Sequence, residues 1–179
     1  MFIALSLSDK VNFISFPGES LKIVPYCGKR LTREMLWSLS NLRPVHPIDR
    51  FSLRQMIASF QAHSKAIVVS DFYDPSYQDF FHLLSLKKIC GVALHVVSKE
   101  EIFPSITGEM ELQDSESGER KRVSVTPTVL KRYEKKFQLH MAQIKSFCLK
   151  HHVAYKQMRT DTPFFKNVLD ILRLAGIVR

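Results

Sequence analysis

Two uninterrupted apolar runs constrain what this chain can fold into. Residues 66–69 read Ala-Ile-Val-Val, and residues 92–97 read Val-Ala-Leu-His-Val-Val. Runs rich in β-branched residues, without polar alternation, suit strands covered on both faces, as in a parallel sheet with helices on either side. Between them, Ser76 can cap a segment that places Phe80, Phe81, Leu83 and Leu84 on one face. Lys87 and Lys88 then suit the negative end of that helix. Strand, helix, strand in this order predicts a parallel pair. Residues 65–70 are expected to form the most buried strand.

The rest of the chain alternates in the same way. Val11-Asn-Phe-Ile-Ser-Phe16 and Leu21-Lys-Ile-Val-Pro-Tyr26 flank the turn Pro17-Gly18-Glu19-Ser20, which predicts a β-hairpin near a sheet edge, where Pro25 is tolerated. The short apolar start, residues 1–7, reads either as a strand or as the last two turns of a helix. Thr32 caps a helix with Met35, Leu36, Leu39 and Leu42 on one face. Residues 43–50 carry Pro44 and Pro47 and form a loop. Ser52 and Gln55 make a capping box for a helix burying Leu53, Met56, Ile57 and Phe60, and Ser98 with Glu101 makes another.

Met110-Glu-Leu-Gln and Arg122-Val-Ser-Val flank a polar turn containing Gly118, so an inserted β-hairpin is expected. Thr126-Pro127 starts a long helix whose Leu130, Tyr133, Phe137, Met141, Ile144 and Cys148 recur at three- and four-residue steps, ending near His151. Residues 153–158 are a last strand. Thr162-Pro163 opens a final helix with Phe165, Val168, Leu169 and Leu172 on its core face, and Gly176 closes it. No repeat or linker interrupts the chain, so the 179 residues predict one α/β domain with a mostly parallel sheet.

Composition narrows function only broadly. No apolar run approaches the roughly 18 residues that span a bilayer, and residues 1–7 lack the basic start of a signal peptide. Three widely spaced cysteines, Cys27, Cys90 and Cys148, read as buried thiols in a reducing compartment, so the expected location is the cytoplasm. Lys and Arg exceed Asp and Glu by 26 − 17 = 9, which permits nucleic acid, acidic lipid or an acidic protein face as a partner. The concentration at Lys131, Arg132, Lys135 and Lys136 fits a solvated helix face. Arg120-Lys121-Arg122 is a second basic concentration. No helix-turn-helix, zinc-finger or aromatic RNA-binding signature accompanies the charge, which leaves nucleic-acid binding as the alternative reading.

The chemistry-bearing residues gather where the first apolar run ends: Ser70, Asp71 and Asp74. Ligands of open α/β sheets sit beyond the carboxyl ends of the strands. A metal-dependent hydrolase built on Asp71 and Asp74 needs further carboxylates, and no Gly-x-Ser-x-Gly elbow supplies a nucleophile. The bland reading is that both aspartates shape a strand-to-helix turn. His95 has no partner at metal spacing and reads as a core or surface histidine, and His151-His152 as a helix terminus. Asp114, Glu116 and Glu119 are accounted for by turn chemistry.

The order of motifs resembles a family. Asp9-Lys-Val-Asn-Phe-Ile-Ser-Phe16, Val68-Val-Ser-Asp-Phe-Tyr-Asp74, Leu94-His-Val-Val-Ser-Lys-Glu-Glu101, Leu112-Gln-Asp-Ser-Glu-Ser-Gly-Glu119, Val125-Thr-Pro-Thr128 with Tyr133, Thr160-Asp-Thr-Pro163 and Leu172-Arg-Leu-Ala-Gly-Ile177 together resemble the von Willebrand factor A-like domain of bacterial proteins called domain of unknown function 58. The resemblance implies a doubly wound, mostly parallel sheet carrying a metal-ion-dependent adhesion site: Asp-x-Ser-x-Ser on a first loop, Thr on a second, Asp on a third. Asp71 matches the third-loop aspartate, and Asp74 would assist it. No Asp-x-Ser-x-Ser occurs, and residues 41–51 lack the threonine, with Ser52 the nearest hydroxyl.

Residues 1–7 match the tail of the family's first helix, so the resemblance implies a domain lacking its N-terminal strand, with an unpaired slot that invites association. The implied function is a non-enzymatic protein-protein interaction module working with a MoxR-type AAA+ ATPase in complex assembly. Its metal site is incomplete, and magnesium is expected only with the missing N-terminal segment supplied.

Overall fold

The computed structural model describes residues 2–15, 22–28, 32–41, 54, 56–58, 60–61, 63–114 and 118–176. The chain divides into two compact units, Met1–Met56 and Ile57–Arg179.

In the first unit, α1 (Phe2–Ser6) leads into β1 (Lys10–Ser15), which pairs antiparallel with β2 (Lys22–Cys27), followed by α2 (Thr32–Ser40). The hairpin aligns Val11 with Tyr26 and Phe13 with Val24, and Leu5, Tyr26 and Met35 form its buried centre. The apolar start thus forms a short helix, Phe2–Ser6, rather than a strand, with Ser8 following at a left-handed φ of 65°. Leu36 is exposed, and not on the core face as its spacing predicts. The turn at 16–21, the Thr32 cap side chain, Leu42 and the loop 43–50 lie outside the described residues. So do Ser52, Leu53 and Gln55, although Met56 and Ile57 are buried as expected.

The second unit holds a three-stranded parallel sheet in the order β3 (Lys65–Ser70), β4 (Cys90–Val97), β7 (Ala154–Arg159). A second antiparallel pair, β5 (Gly108–Gln113) with β6 (Arg120–Val125), is the inserted hairpin. Its turn is closed by Asp114 N–H to the Glu119 carbonyl at 2.8 Å, with Gly118 at φ 73° as its sequence suggests. Glu116 lies outside the described residues. The molecule is therefore a mixed α/β protein with a parallel sheet and antiparallel hairpins.

Helices cover both faces of the parallel sheet, because residues two apart on a strand share a face. On one face, Phe137 and Met141 of α5 (Pro127–Lys150) pack on Val97. Leu84 of α3 (Ser76–Leu86) lies on that face against Gly91, where an added Cβ would come within 3.4 Å of the Leu84 side chain and 3.3 Å of Val153. On the other face, Ile171 and Ala175 of α6 (Phe164–Leu174) pack on Val92 and Leu94. The short α4 (Lys99–Ile102) follows β4, and its capping box is complete: Glu101 N–H donates to Ser98 Oγ at 3.0 Å, and Ser98 N–H to Glu101 Oε2 at 2.6 Å. Thr126 caps α5 through Val129 N–H, with Pro127 at the first turn. At α6, Pro163 and not Thr162 holds the cap position, and the side chains of Phe165 and Val168 lie outside the described residues.

Three expectations are corrected here. The strand at 65–70 exists, but it is not the most buried one. Among the described residues it is an edge strand, with Ile67 and Val69 exposed at 40% and 62%. The buried central strand is β4, because α6 reaches across β4 and β7 and leaves the same face of β3 bare. Cys27 and Cys90 are exposed at strand ends, and only Cys148 is buried, its thiol pushed up to about 12 by that burial. Lys87 caps the end of α3 with its backbone, its N–H donating to the Leu83 carbonyl at 3.2 Å, but its ammonium is turned to the carbonyls of Ile57 and Ala58, at 2.7 and 3.0 Å, while Lys88 follows at a left-handed φ of 55°.

Candidate functional site

The loops after β3 and β4 build the carboxyl edge of the parallel sheet. After β3, three side chains turn the backbone toward α3. Ser70 Oγ accepts from Phe72 N–H at 3.0 Å, Asp71 Oδ1 from Tyr73 N–H at 3.3 Å, and Asp74 Oδ1 from Ser76 N–H at 2.7 Å. Such side-chain-to-backbone bonds replace the ladder bonds the strand has just given up. They hold Phe72 at a φ of 55°, a left-handed value costly for a bulky residue. Its ring, 2% exposed, packs edge-on against Tyr77 and His95, and that burial offsets the strain.

The twist at Phe72 projects Tyr73 outward, half exposed at 50%. Its ring lies flat against His140 of α5, with centroids 5.3 Å apart and planes 1° from parallel. Its hydroxyl donates to Glu101 Oε1 at 3.0 Å. Tyr133 donates to the Glu101 carbonyl at 3.0 Å, so one residue of α4 ties the β3 loop to the long helix. Beneath them, His95 is 1% exposed and its Nδ1 lies 2.9 Å from the Tyr155 hydroxyl. His95 is a satisfied core histidine, as its isolation in the sequence indicates. His140 Nε2 is buried without a hydrogen-bond partner among the described residues.

Burial drives the electrostatics of this cluster. It raises the Tyr73 hydroxyl well above its ordinary value, and the adjoining Glu101 carboxylate raises it further. Tyr155 is pushed up to about 12, chiefly by burial. His95 is lowered first by burial and then by His140, against the pull of the Asp71 backbone and carboxyl and of Glu101. Burial alone would raise Glu101, but the hydrogen bonds from Ser98 and Tyr73 outweigh it and hold the carboxyl below its usual value. In this cluster burial thus disfavours the charged forms of Tyr73, Tyr133, Tyr155 and His95, while hydrogen bonds favour the charged form of Glu101. At the end of α5, His151 is lowered by burial and by His82, so its proton is disfavoured despite the helix terminus.

The predicted site residues Asp71 and Asp74 sit on one loop and both are exposed, but each has an oxygen committed to a backbone N–H. No group of three His, Cys, Asp or Glu side chains converges among the described residues. Magnesium needs an octahedron of oxygens and dehydrates reluctantly, so this pair does not fit it. Sequence reasoning missed the Tyr73–His140 stack. The spacing of Tyr133 and His140 places them two turns apart on one face of α5 but carries no signal for Tyr73, which comes from a separate element.

The sequence matches the family described as Protein of unknown function DUF58 over residues 1–143, and the chain belongs to that family. The fold is similar to the crystal structure of the conserved hypothetical protein BatB from Bacteroides thetaiotaomicron, with a TM-score of 0.50 and 10% identity, covering 99% of this chain and 84% of that one. No curated protein matches the sequence. Among the described residues, no helix is long and apolar enough to cross a membrane.

Proposed function

We propose that this chain is a non-enzymatic protein-protein interaction module of the von Willebrand factor A-like kind, which docks a protein partner at the carboxyl edge of its parallel sheet. The observation that carries the reading is Tyr73. It is a half-exposed aromatic whose ring is fixed by His140 and whose hydroxyl is fixed by Glu101. A pre-ordered tyrosine loses little entropy on binding, and such residues anchor interfaces. Asp71 and Asp74 flank it on the same loop, and Phe103, 61% exposed, lies two residues beyond Glu101. A carboxylate rim around aromatic anchors suits a partner face that carries lysine or arginine. The parallel sheet with helices on both faces, and an aspartate where β3 ends, support the von Willebrand factor A-like reading.

The partner class that the family resemblance implies is a MoxR-type AAA+ ATPase in complex assembly, in the cytoplasm. Asp71 and Asp74 serve here as turn-forming and rim residues, so binding is expected without added magnesium. The test is calorimetric titration of the purified chain with a purified MoxR-type AAA+ ATPase, with and without chelator. We expect binding that survives the chelator and weakens at least tenfold in Tyr73→Ala. No binding, or binding indifferent to Tyr73→Ala, would overturn the reading. A parallel titration with duplex DNA tests the basic face of α5, where Lys131, Arg132, Lys135 and Lys136 are all exposed. Weak binding that vanishes by moderate salt is expected there.

A further inference from the structure

We propose that His82 and His151 form a two-histidine site for a divalent cation of the zinc, nickel and copper class, which clasps α3 to α5. The two rings come from different helices of the second unit, one from the middle of α3 and the other from the residue that caps α5. Their centroids are 5.5 Å apart and their planes stand at 90°. Zn–N bonds of about 2.0–2.1 Å at a tetrahedral angle set two coordinating ring centroids about 5.2 Å apart. The helices thus already hold the rings close to the coordinating distance. A histidine ring turns softly about its second side-chain torsion. Its centroid lies near that axis, so a nitrogen swings toward the ion with the helices in place.

The chemistry of the pair selects the cation. Neutral imidazole suits zinc, nickel and copper, whereas magnesium and calcium take oxygen ligands. A ligating nitrogen must be unprotonated, and burial together with the nearby His82 already disfavours the proton on His151. The negative end of the 24-residue α5 attracts a cation there, against Lys150 beside it. The Phe147 ring lies 4.4 Å from that of His151, centroid to centroid, and supports it from one side. Permanent zinc sites use three or four protein ligands. With two, and water in the remaining positions, the ion is held reversibly. The site is also separate from the Tyr73 edge, because His151 lies eleven residues beyond His140, about 16 Å along α5.

Calorimetric titration of the chelator-treated full chain with zinc chloride tests this. We expect one ion per chain at micromolar zinc, and a thermal unfolding midpoint raised by zinc, because only the folded chain holds the two rings together. Magnesium at the same concentration should do neither. His82→Gln and His151→Gln should each weaken zinc binding at least tenfold. In His82→Gln, whose side chain is exposed, the midpoint without metal should stay nearly unchanged. If His151→Gln lowers that midpoint through its contact with Phe147, His82→Gln alone decides. In imidazole NMR spectra of the wild-type chain, zinc should shift His82 and His151 ahead of the others among the seven histidines. No zinc binding overturns the proposal, as does binding that His82→Gln leaves intact, the sign of an adventitious ion only. So does a zinc-induced shift confined to other histidines.

Discussion

β3 and β4 are neighbouring strands with nearly the same apolar composition, yet they stand in different surroundings. In β4 seven of eight residues are at least partly buried, and five consecutive ones, Gly91 to His95, are fully so. In β3 every second residue is exposed. An uninterrupted apolar run sets the strand but not its rank in the sheet. Rank is set by how many strands lie beside it and which helices reach over it. Here α6 lies over β4 and β7, so Val92 and Leu94 are sealed while Ile67 and Val69, their neighbours in the register, are not.

The largest expected effect separates the two strands directly. Leu94→Ala should destabilise the protein by ~2–5 kcal/mol, the cost of a cavity under a helix. Val69→Ala should cost no more than about 0.5 kcal/mol. Equal losses in urea denaturation would break the comparison. Next, Glu101→Ala removes one half of the capping box and the tether of Tyr73, and should cost about 1 kcal/mol. It should also free the Tyr73 ring, which near-ultraviolet circular dichroism would register.

The pH response should follow from His95. The unfolded histidine takes up its proton near 6.5, whereas the folded one, lowered by burial and by His140, does so only at a lower pH. Between those values the unfolded chain binds more protons, so stability falls as pH drops below 6.5 and levels off once the folded group titrates. In His95→Gln that slope should flatten. An unchanged slope would assign it to other groups, such as His151, which is lowered in the same direction. The smallest effects belong to the loop. Asp74→Ala should cost about 0.5–1 kcal/mol through its bond to the first turn of α3. Asp71→Ala, which loses a longer bond, 3.3 Å against 2.7 Å, should cost only a few tenths of a kcal/mol.

Much of this arrangement is readable in the sequence because it is local. The Ser98/Glu101 box, the Thr126-Pro127 start, the glycine at Gly118 and the stripe from Phe137 to Cys148 each depend on residues within a turn or two of one another. The exposure of Ile67 depends on α6, about a hundred residues later in the chain, and no periodicity in 66–69 encodes that. The site divides along the same line. Asp71 and Asp74 are marked by their place at a strand end, but the bonds that occupy them are fixed by a left-handed Phe72, a conformation its side chain does not announce. Tyr73, Glu101 and His140 meet only because three separate elements converge.

The contrast between the strands is tested most directly by native-state hydrogen exchange. Amides in residues 91–97 should exchange only through global unfolding, while alternate amides in residues 65–70, those facing away from β4, exchange orders of magnitude faster. Uniform, global-level protection along all of residues 65–70 would mean that β3 is an interior strand, and would contradict the account.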